Sequence, residues 1–236
     1  MEKVIKLNGR KIIYKLARKN VKNINLRIRF DCSIYVSANI HVTVSEIEEF
    51  IGSKSSYILS VLDKYARNLK YASNKKHNYV AGESFRYLGK DLQLVVIKGK
   101  NGVTFDDEYI TLSVRHINDA AIKERLINKW YYTQCWEVSV KIINETYQVF
   151  KKYNIAMPKL VLRKMVSRWG SCRPKRGIIT LNKRLIEAPR NAFEYIVMHE
   201  FIHFLYPNHS SNFYEILSKL MPDWKVRKKM LESVVL

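Results

Sequence analysis

An α+β fold is predicted for this chain: an N-terminal antiparallel β-rich part with one helix, followed by a compact core of helices around a few strands. Three observations predict it. Short runs of alternating apolar and polar residues, punctuated by turn pairs such as Asn8-Gly9 and Asn101-Gly102, fill much of the N-terminal half. Helical periodicity sets in at Asn118 and lasts for more than thirty residues. A further helix, apolar nearly all round, carries two histidines four positions apart. The division that follows is 1–117 for the β-rich region, with a helix over 46–67, and 118–236 for the core, the two making one continuous domain.

The elements follow in chain order. Residues 3–7 and 11–16 alternate and flank Asn8-Gly9, a strong hairpin signal. Residues 24–30 alternate as well, and a short strand over 34–36 follows the turn Asp31-Cys32-Ser33. Ser45, with Glu48 three residues on, has a capping-box pattern, and Ile47, Phe50 and Ile51 begin the apolar face of the helix. Residues 68–80 are polar and mixed, and are expected to form an internal linker. Strands over 87–97 and 103–114 come next, with turns at Gly89-Lys90 and Asn101-Gly102. In 118–153, Ile122, Leu126 and Trp130 step by four, so a helix is expected that bends or breaks along its length. A strand over 160–165, a turn over 167–172 and a strand over 178–181 lead to the histidine-bearing helix. Pro189 suits the first turn of that helix, which should end near Tyr206 and Pro207. Ser210 or Ser211 caps a short helix through Leu220, and Pro222 opens a last one. No internal repeat is visible in the sequence.

At 236 residues and 47% hydrophobic content the chain can bury a real core. It has no apolar run of membrane-spanning length, and its start, Met1-Glu2-Lys3, lacks the apolar stretch of a signal peptide. Cys32, Cys135 and Cys172 form no C-x-x-C and no even set, which argues against a disulfide framework. The expected location is the cytoplasm, away from membranes. The net charge of +21 either attracts polyanions, nucleic acid among them, or merely solvates the surface of a basic protein. Its lysines are spread along the chain, with a local concentration at Arg163, Lys164, Arg168, Arg173, Lys175 and Arg176.

The chemistry is concentrated in His199-Glu200-Phe201-Ile202-His203 and in His209, six residues later. Positions i and i+4 share a helix face, so His199 and His203 can each direct an imidazole at one metal ion. Glu200, one position round, is placed to hold and deprotonate a water on that ion. Chance produces on the order of 0.01 such H-E-x-x-H runs in a chain of this composition. Two imidazoles and a carboxylate amid Ile196, Val197, Met198, Phe201 and Ile202 are costly to bury unless a cation binds them. The third ligand is His209 or a carboxylate from a following helix, Glu215 or Glu232. Three protein ligands with one position left for water is the layout of a catalytic zinc. The His203-to-His209 spacing equals that of metzincins, which carry Gly where this chain has Tyr206, so Pro207 must make the bend differently. The order helix, strand, turn, strand, metal helix, short helix suffices for a zincin-like core in 118–236. Its strand over 178–182, beside the metal site, is either an edge that could accept an extended peptide or a central strand.

Taken together, Ser167-Arg168-Trp169-Gly170-Ser171-Cys172, Leu181-Asn182, the H-E-x-x-H and Asn208-His209-Ser210-Ser211-Asn212-Phe213 resemble the YgjP-like metallopeptidase family. The resemblance extends over nearly the whole chain, including the stretch from Gly82 to Gly89; Tyr214 stands where members commonly have Trp. It implies three histidine ligands, which favours His209 over the carboxylates. The family also includes a member described as a UTP pyrophosphatase.

The expected function is therefore that of a zinc-dependent hydrolase. His199, His203 and His209 bind one Zn²⁺ (or another divalent metal) per chain, and Glu200 activates the metal-bound water as general base. The substrate is a peptide, as for a metallopeptidase. Alternatively it is a nucleoside triphosphate such as UTP, whose phosphates Arg168 with Lys164 or Arg173 would grip. A third reading is a nucleic-acid-associated, SprT-like protease or binding module. Arg168 could instead be a structural ion-pair partner beside a packed Trp169, and Ser171 and Cys172 are read as structural.

Overall fold

The computed structural model describes residues 2–29, 31–74, 77–232 and 234. The fold class is α+β, with eleven strands in three sheets and six α-helices among the described residues. Contacts divide the chain into two compact units, Met1–Lys76 and His77–Leu236. No described helix is long and apolar enough to cross a membrane.

In the first unit, β1 (Glu2–Leu7) and β2 (Arg10–Arg18) form the hairpin that Asn8-Gly9 announces. Then come β3 (Asn25–Ile28) and β4 (Ile34–Ala38). The sheet order is β1-β2-β4-β3, and β2 runs parallel to β4, so the sheet is mixed rather than antiparallel. Strand alternation puts Tyr14, Leu16, Ile34 and Val36 inside, in a core with Ile47, Ile51 and Ile58. Those last three come from two helices, α1 (Val44–Ser53) and α2 (Ser55–Asn74), where the sequence suggests one over 46–67.

The capping box of α1 is Thr43 with Glu46, not Ser45 with Glu48. The Thr43 hydroxyl accepts from the Glu46 N–H at 3.2 Å, and the Glu46 carboxylate accepts from the Thr43 N–H at 2.7 Å. Glu48 instead accepts from the Tyr14 hydroxyl at 3.2 Å. Most of the expected linker over 68–80 is helix, because α2 continues to Asn74; Lys75 and Lys76 lie outside the described residues.

The second unit opens with β5 (Ser84–Tyr87), β6 (Lys90–Lys98), β7 (Gly102–Phe105) and β8 (Tyr109–Val114), in the order β5-β6-β8-β7. The expected strand over 103–114 is broken in two at Asp106, whose carboxylate accepts from the N–H groups of Glu108 and Tyr109 and ties a turn there. Helix α3 (Ala120–Phe150) neither bends into two nor breaks; a single 3-10 turn, Lys151–Tyr153, ends it. Its N-terminal half packs Ile127 and Trp130 on the β5–β8 sheet. Its C-terminal half packs Cys135, Ile142, Ile143 and Phe150 into the core around the histidine-bearing helix. This shared spine is why the chain divides near residue 76 and not at 117/118.

A third sheet contains β9 (Lys159–Arg163), β10 (Gly170–Arg173) and β11 (Ile178–Asn182), ordered β10-β11-β9. The segment read as a turn over 167–172 is thus a loop followed by a strand. The strand over 178–182 is central, and the free edge beside the histidines belongs to β10. Helices α4 (Arg190–Ile202), α5 (Ser211–Leu220, N-cap Ser210) and α6 (Trp224–Glu232) complete the unit.

Candidate metal centre and catalytic site

Helix α4 is seated from outside. Pro189 lies at its N-cap position, just before the first turn rather than within it. The tight turn Leu88-Gly89 abuts it: the Leu88 N–H donates to the Ile186 carbonyl at 2.7 Å, and a Cβ on Gly89 would lie 3.0 Å from Pro189. Gly89 also has φ +86°, so only glycine meets both demands. Glu194 accepts from Arg190 of α4 at 3.0 Å and from Arg227 of α6 at 2.7 Å, fastening the two helices side by side. Inside, Phe201 packs on Phe150 of α3 with ring centroids 5.1 Å apart.

The helix ends at Ile202, four residues short of Tyr206, and His203 is its C-cap with right-handed backbone angles. His203 therefore stays on the face of His199. Backbone N–H groups of Leu205 and Tyr206 both return to the Ile202 carbonyl and turn the chain. No residue from 204 to 208 has a positive φ, which is why the bend needs no glycine.

The three histidines come together: their ligating nitrogens all lie within 4.8 Å of one another. The Nε2 atoms of His199 and His209 are 3.0 Å apart. Two nitrogens sharing one tetrahedral zinc would stand roughly 3.3 Å apart. His203 Nδ1 lies 3.0 Å from the Tyr206 carbonyl, an acceptor, so Nδ1 carries the proton and Nε2 keeps its lone pair for a metal. Phe213, fully buried, lies under all three rings at centroid distances of 4.8–4.9 Å and fixes their convergence. Burial, followed by the charges of His203, His209 and Lys228, pushes His199 down to about 3. His209 is lowered for similar reasons, burial first. His199 and His209 are therefore neutral at physiological pH, the form that ligates a divalent cation. The donor set fits a zinc-type site. Glu215 is not part of this cluster, and the side chain of Glu232 lies outside the described residues.

Glu200 is only 4% exposed, and its Oε2 is buried with no hydrogen-bond partner. Burial pushes its carboxyl up to about 8, with Arg168 pulling the other way. Its other face rests on Gly170 of β10, where a Cβ would come within 2.5 Å of Oε1. Any other residue at 170 would displace the carboxylate.

Asn182, which the sequence marks without a role, is fully buried and staples this region. Its amide donates to the carbonyls of Met165 at 2.8 Å and Arg168 at 3.0 Å, and its backbone N–H donates to the Trp169 carbonyl. That last bond sets the ladder phase. Residues 169, 171 and 173 of the β10 segment face β11, so Gly170 and Cys172 turn their N–H and C=O groups to the free edge.

Arg168, Lys164 and Arg173 are all exposed. Arg168 has no ion-pair partner among the described residues and is the cation that acts on Glu200. Arg173 sits three residues beyond Gly170, roughly 10 Å along the strand. A cation the sequence did not single out, Lys228 of α6, acts on His199 and His209. Also unforeseen is a wall of stacked rings beside the histidines, Tyr195, Trp224 and Tyr214, with Tyr214 and Trp224 centroids 5.5 Å apart. Cys172 is a free thiol pushed up to about 12 by burial and by Glu200, so it is protonated and a poor nucleophile.

The profile of the YgjP-like family, described as YgjP-like, metallopeptidase domain, matches residues 22–234. Among solved structures, the crystal structure of the metallopeptidase zymogen of Methanocaldococcus jannaschii jannalysin is similar. The match covers 40% of this chain and 88% of that one, at 24% identity and a TM-score of 0.34. No curated protein matches.

Proposed function

The chain belongs to the YgjP-like family and is a metallopeptidase-like hydrolase, and on that premise we propose that it is a zinc peptidase that cleaves an extended peptide laid along β10. The observation that carries this reading is the convergence of the three histidines next to a buried, unpartnered Glu200, itself in contact with the free edge of the sheet. His199, His203 and His209 would hold the metal. When bound, it would supply Lewis acidity, polarising the scissile carbonyl and acidifying a water.

The protein's own groups do the rest. A peptide adding to the edge of β10 pairs its backbone with Gly170 and Cys172, which brings a carbonyl past Glu200. Glu200 takes the proton of the attacking water and passes it to the departing amine. Burial, which raises its carboxyl, helps it keep the proton it has taken until the amine departs. Arg168, exposed and in no ion pair among the described residues, offers its guanidinium to the carbonyl oxygen as charge develops there.

A second reading, cleavage of a nucleoside triphosphate such as UTP, draws on the two cations around the site, Arg168 and Lys228, either of which suits a phosphate. One paired assay separates the readings: zinc-loaded protein and its Glu200→Gln variant are each given a mixed peptide library and UTP. Peptide cleavage that disappears in the variant supports the peptidase. Pyrophosphate release that disappears in the variant, without peptide cleavage, overturns it in favour of the nucleotide. Equal activity of both proteins removes Glu200 from the mechanism.

A further inference from the structure

The outward face of the β1–β4 sheet is strongly basic. Strand alternation that buries Tyr14, Leu16, Ile34 and Val36 turns Lys11, Ile13 and Lys15 of β2 outward, along with Tyr35 of β4. The register makes this face continuous. Lys15 pairs across to Tyr35, and Tyr35 to Arg27, in one row; Lys6 and Lys11 pair in another. The two rows are four residues apart on β2, roughly 13 Å. Arg29 lies over Tyr35, its guanidinium carbon 3.9 Å from the ring centroid, and donates to the Tyr35 hydroxyl at 3.1 Å. Lys6, Lys11, Lys15, Arg27 and Arg29 are all exposed. Most acids of this unit lie elsewhere: Glu46, Glu48 and Glu49 on α1 and Asp63 on α2. Two border the basic face: Glu2, 3.4 Å from Lys15, and Asp31, in the turn beside Arg29, whose charge acts on its carboxylate.

The β5–β8 sheet serves as an internal control, since it has the same strand order. Counting from the hairpin glycine, Gly9 or Gly89, the outward residues of the second strand are Lys11, Ile13 and Lys15 in one sheet and Asp91, Gln93 and Val95 in the other. A uniformly basic surface would charge both faces. Only the first carries lysines at these positions, and it is the one that also holds an aromatic–guanidinium stack.

We propose that the outward face of the β1–β4 sheet binds single-stranded RNA, with bases stacked on the Arg29–Tyr35 platform and phosphates held by Lys6, Lys11, Lys15 and Arg27. An open sheet with an aromatic at its centre reads unpaired bases, whereas a duplex hides its bases and exposes only phosphate. The rows span enough for about two or three bases. Ser37 and Asn25, paired across the next row, offer a hydroxyl and an amide oxygen to a ribose 2′-hydroxyl, the Asn25 amide nitrogen donating to the Asn23 carbonyl, and this favours RNA over DNA.

The test is fluorescence anisotropy of a labelled single-stranded RNA of about 12 nucleotides, titrated with the full-length protein. Single-stranded DNA of the same sequence and the RNA duplex run in parallel. The single-stranded RNA should bind at least about tenfold more tightly than the duplex. The pair Lys11→Glu/Lys15→Glu should weaken binding by about tenfold or more and reduce the log–log salt slope by about 1.4. The pair Lys98→Glu/Lys100→Glu, an equal charge change on the other unit, should stay within about twofold. Tyr35→Ala should lose about tenfold with the slope unchanged, and Tyr35→Phe should restore it. If a variant melts early by circular dichroism, Arg27→Gln/Arg29→Gln replaces it, and retained binding in that variant overturns the proposal. Equal losses from both lysine pairs would reduce the effect to net charge. Duplex binding as tight as that of the single strand would remove the stacking, and DNA binding as tight as RNA would remove the assignment to RNA. Binding only to anionic phospholipid vesicles would make the face a membrane surface. Each of these outcomes overturns the proposal.

Discussion

The sheets β1-β2-β4-β3 and β5-β6-β8-β7 share a strand order, antiparallel pairs at both edges and a parallel pair in the middle. Their first hairpins turn alike, through Asn8 at φ 45° and Gly9 at φ 82° in one, and Leu88 at φ 45° and Gly89 at φ 86° in the other. Helices follow both. What differs is what each sheet touches. The second is tied to the hydrolytic site by the Leu88 N–H to Ile186, by Gly89 against Pro189 and by the Tyr131 hydroxyl donating to the Arg86 carbonyl at 2.9 Å. The first keeps a broad basic face exposed. One topology thus serves as a buttress in one unit and presents a surface in the other, and the side chains outside the shared core make the difference.

If hydrolysis belongs to the second unit alone, the largest effects lie there. Glu200→Gln should lower kcat on a cleaved peptide by about a thousandfold while zinc content, read by mass spectrometry of the dialysed protein, stays at the wild-type level. Retained turnover would break the assignment. Gly170→Ala should follow, with a loss on the order of a hundredfold in kcat/KM and little change in melting, because the new methyl displaces the Glu200 carboxylate rather than unfolding the strand.

The hairpin turns offer the direct comparison. Gly89→Ala meets an unfavourable φ and the Pro189 ring together, and should destabilise by about 2–3 kcal/mol in urea melts, with activity reduced. Gly9→Ala meets the φ alone, with nothing within 4 Å of the added carbon, and should lose about 1 kcal/mol with activity intact. Equal effects on both readouts would erase the distinction between buttress and free surface.

A smaller effect depends on pH in metal-free protein. The Glu200 carboxyl is held up to about 8 in the folded chain, above its ordinary value of 4.5. The unfolded chain therefore releases this proton first, and the folded state loses stability as pH rises from about 4.5 towards 8. Glu200→Gln removes that loss. Its melting temperature should exceed that of the wild type by a few degrees more at pH 8.5 than at pH 5, measured without metal. A difference independent of pH would mean that Glu200 ionises normally.

Several features were legible in the sequence because they are local. The Asn8-Gly9 hairpin, the apolar run of α4 and the i, i+4 spacing of His199 and His203 depend on residues a few positions apart. Other readings failed where local signals competed. Ser45–Glu48 and Thr43–Glu46 both satisfy the capping pattern, and the choice fell to Thr43 because Glu48 is engaged by Tyr14, thirty-four positions earlier. The strand over 178–182 could not be ranked as edge or centre from its own residues, since that depends on β9 and β10 arriving on either side. The common plan of the two sheets left no visible repeat, because a strand order requires only alternation and turns, which many side chains satisfy.

The sequence by itself determined the α+β class and the placing of His199, Glu200 and His203 together on one helical segment. Both follow from residue type and short-range periodicity, which helix and strand geometry convert directly into shared faces. Only the tertiary structure decided that Phe213 underlies the three imidazoles, that Gly170 makes room for Glu200 and that Asn182 holds the Arg168 loop. It also decided that Lys6, Lys11, Lys15 and Arg27 share one sheet face. These are contacts between segments distant in the chain, selected by the packing of the whole core, and no short window of sequence contains the partners that define them.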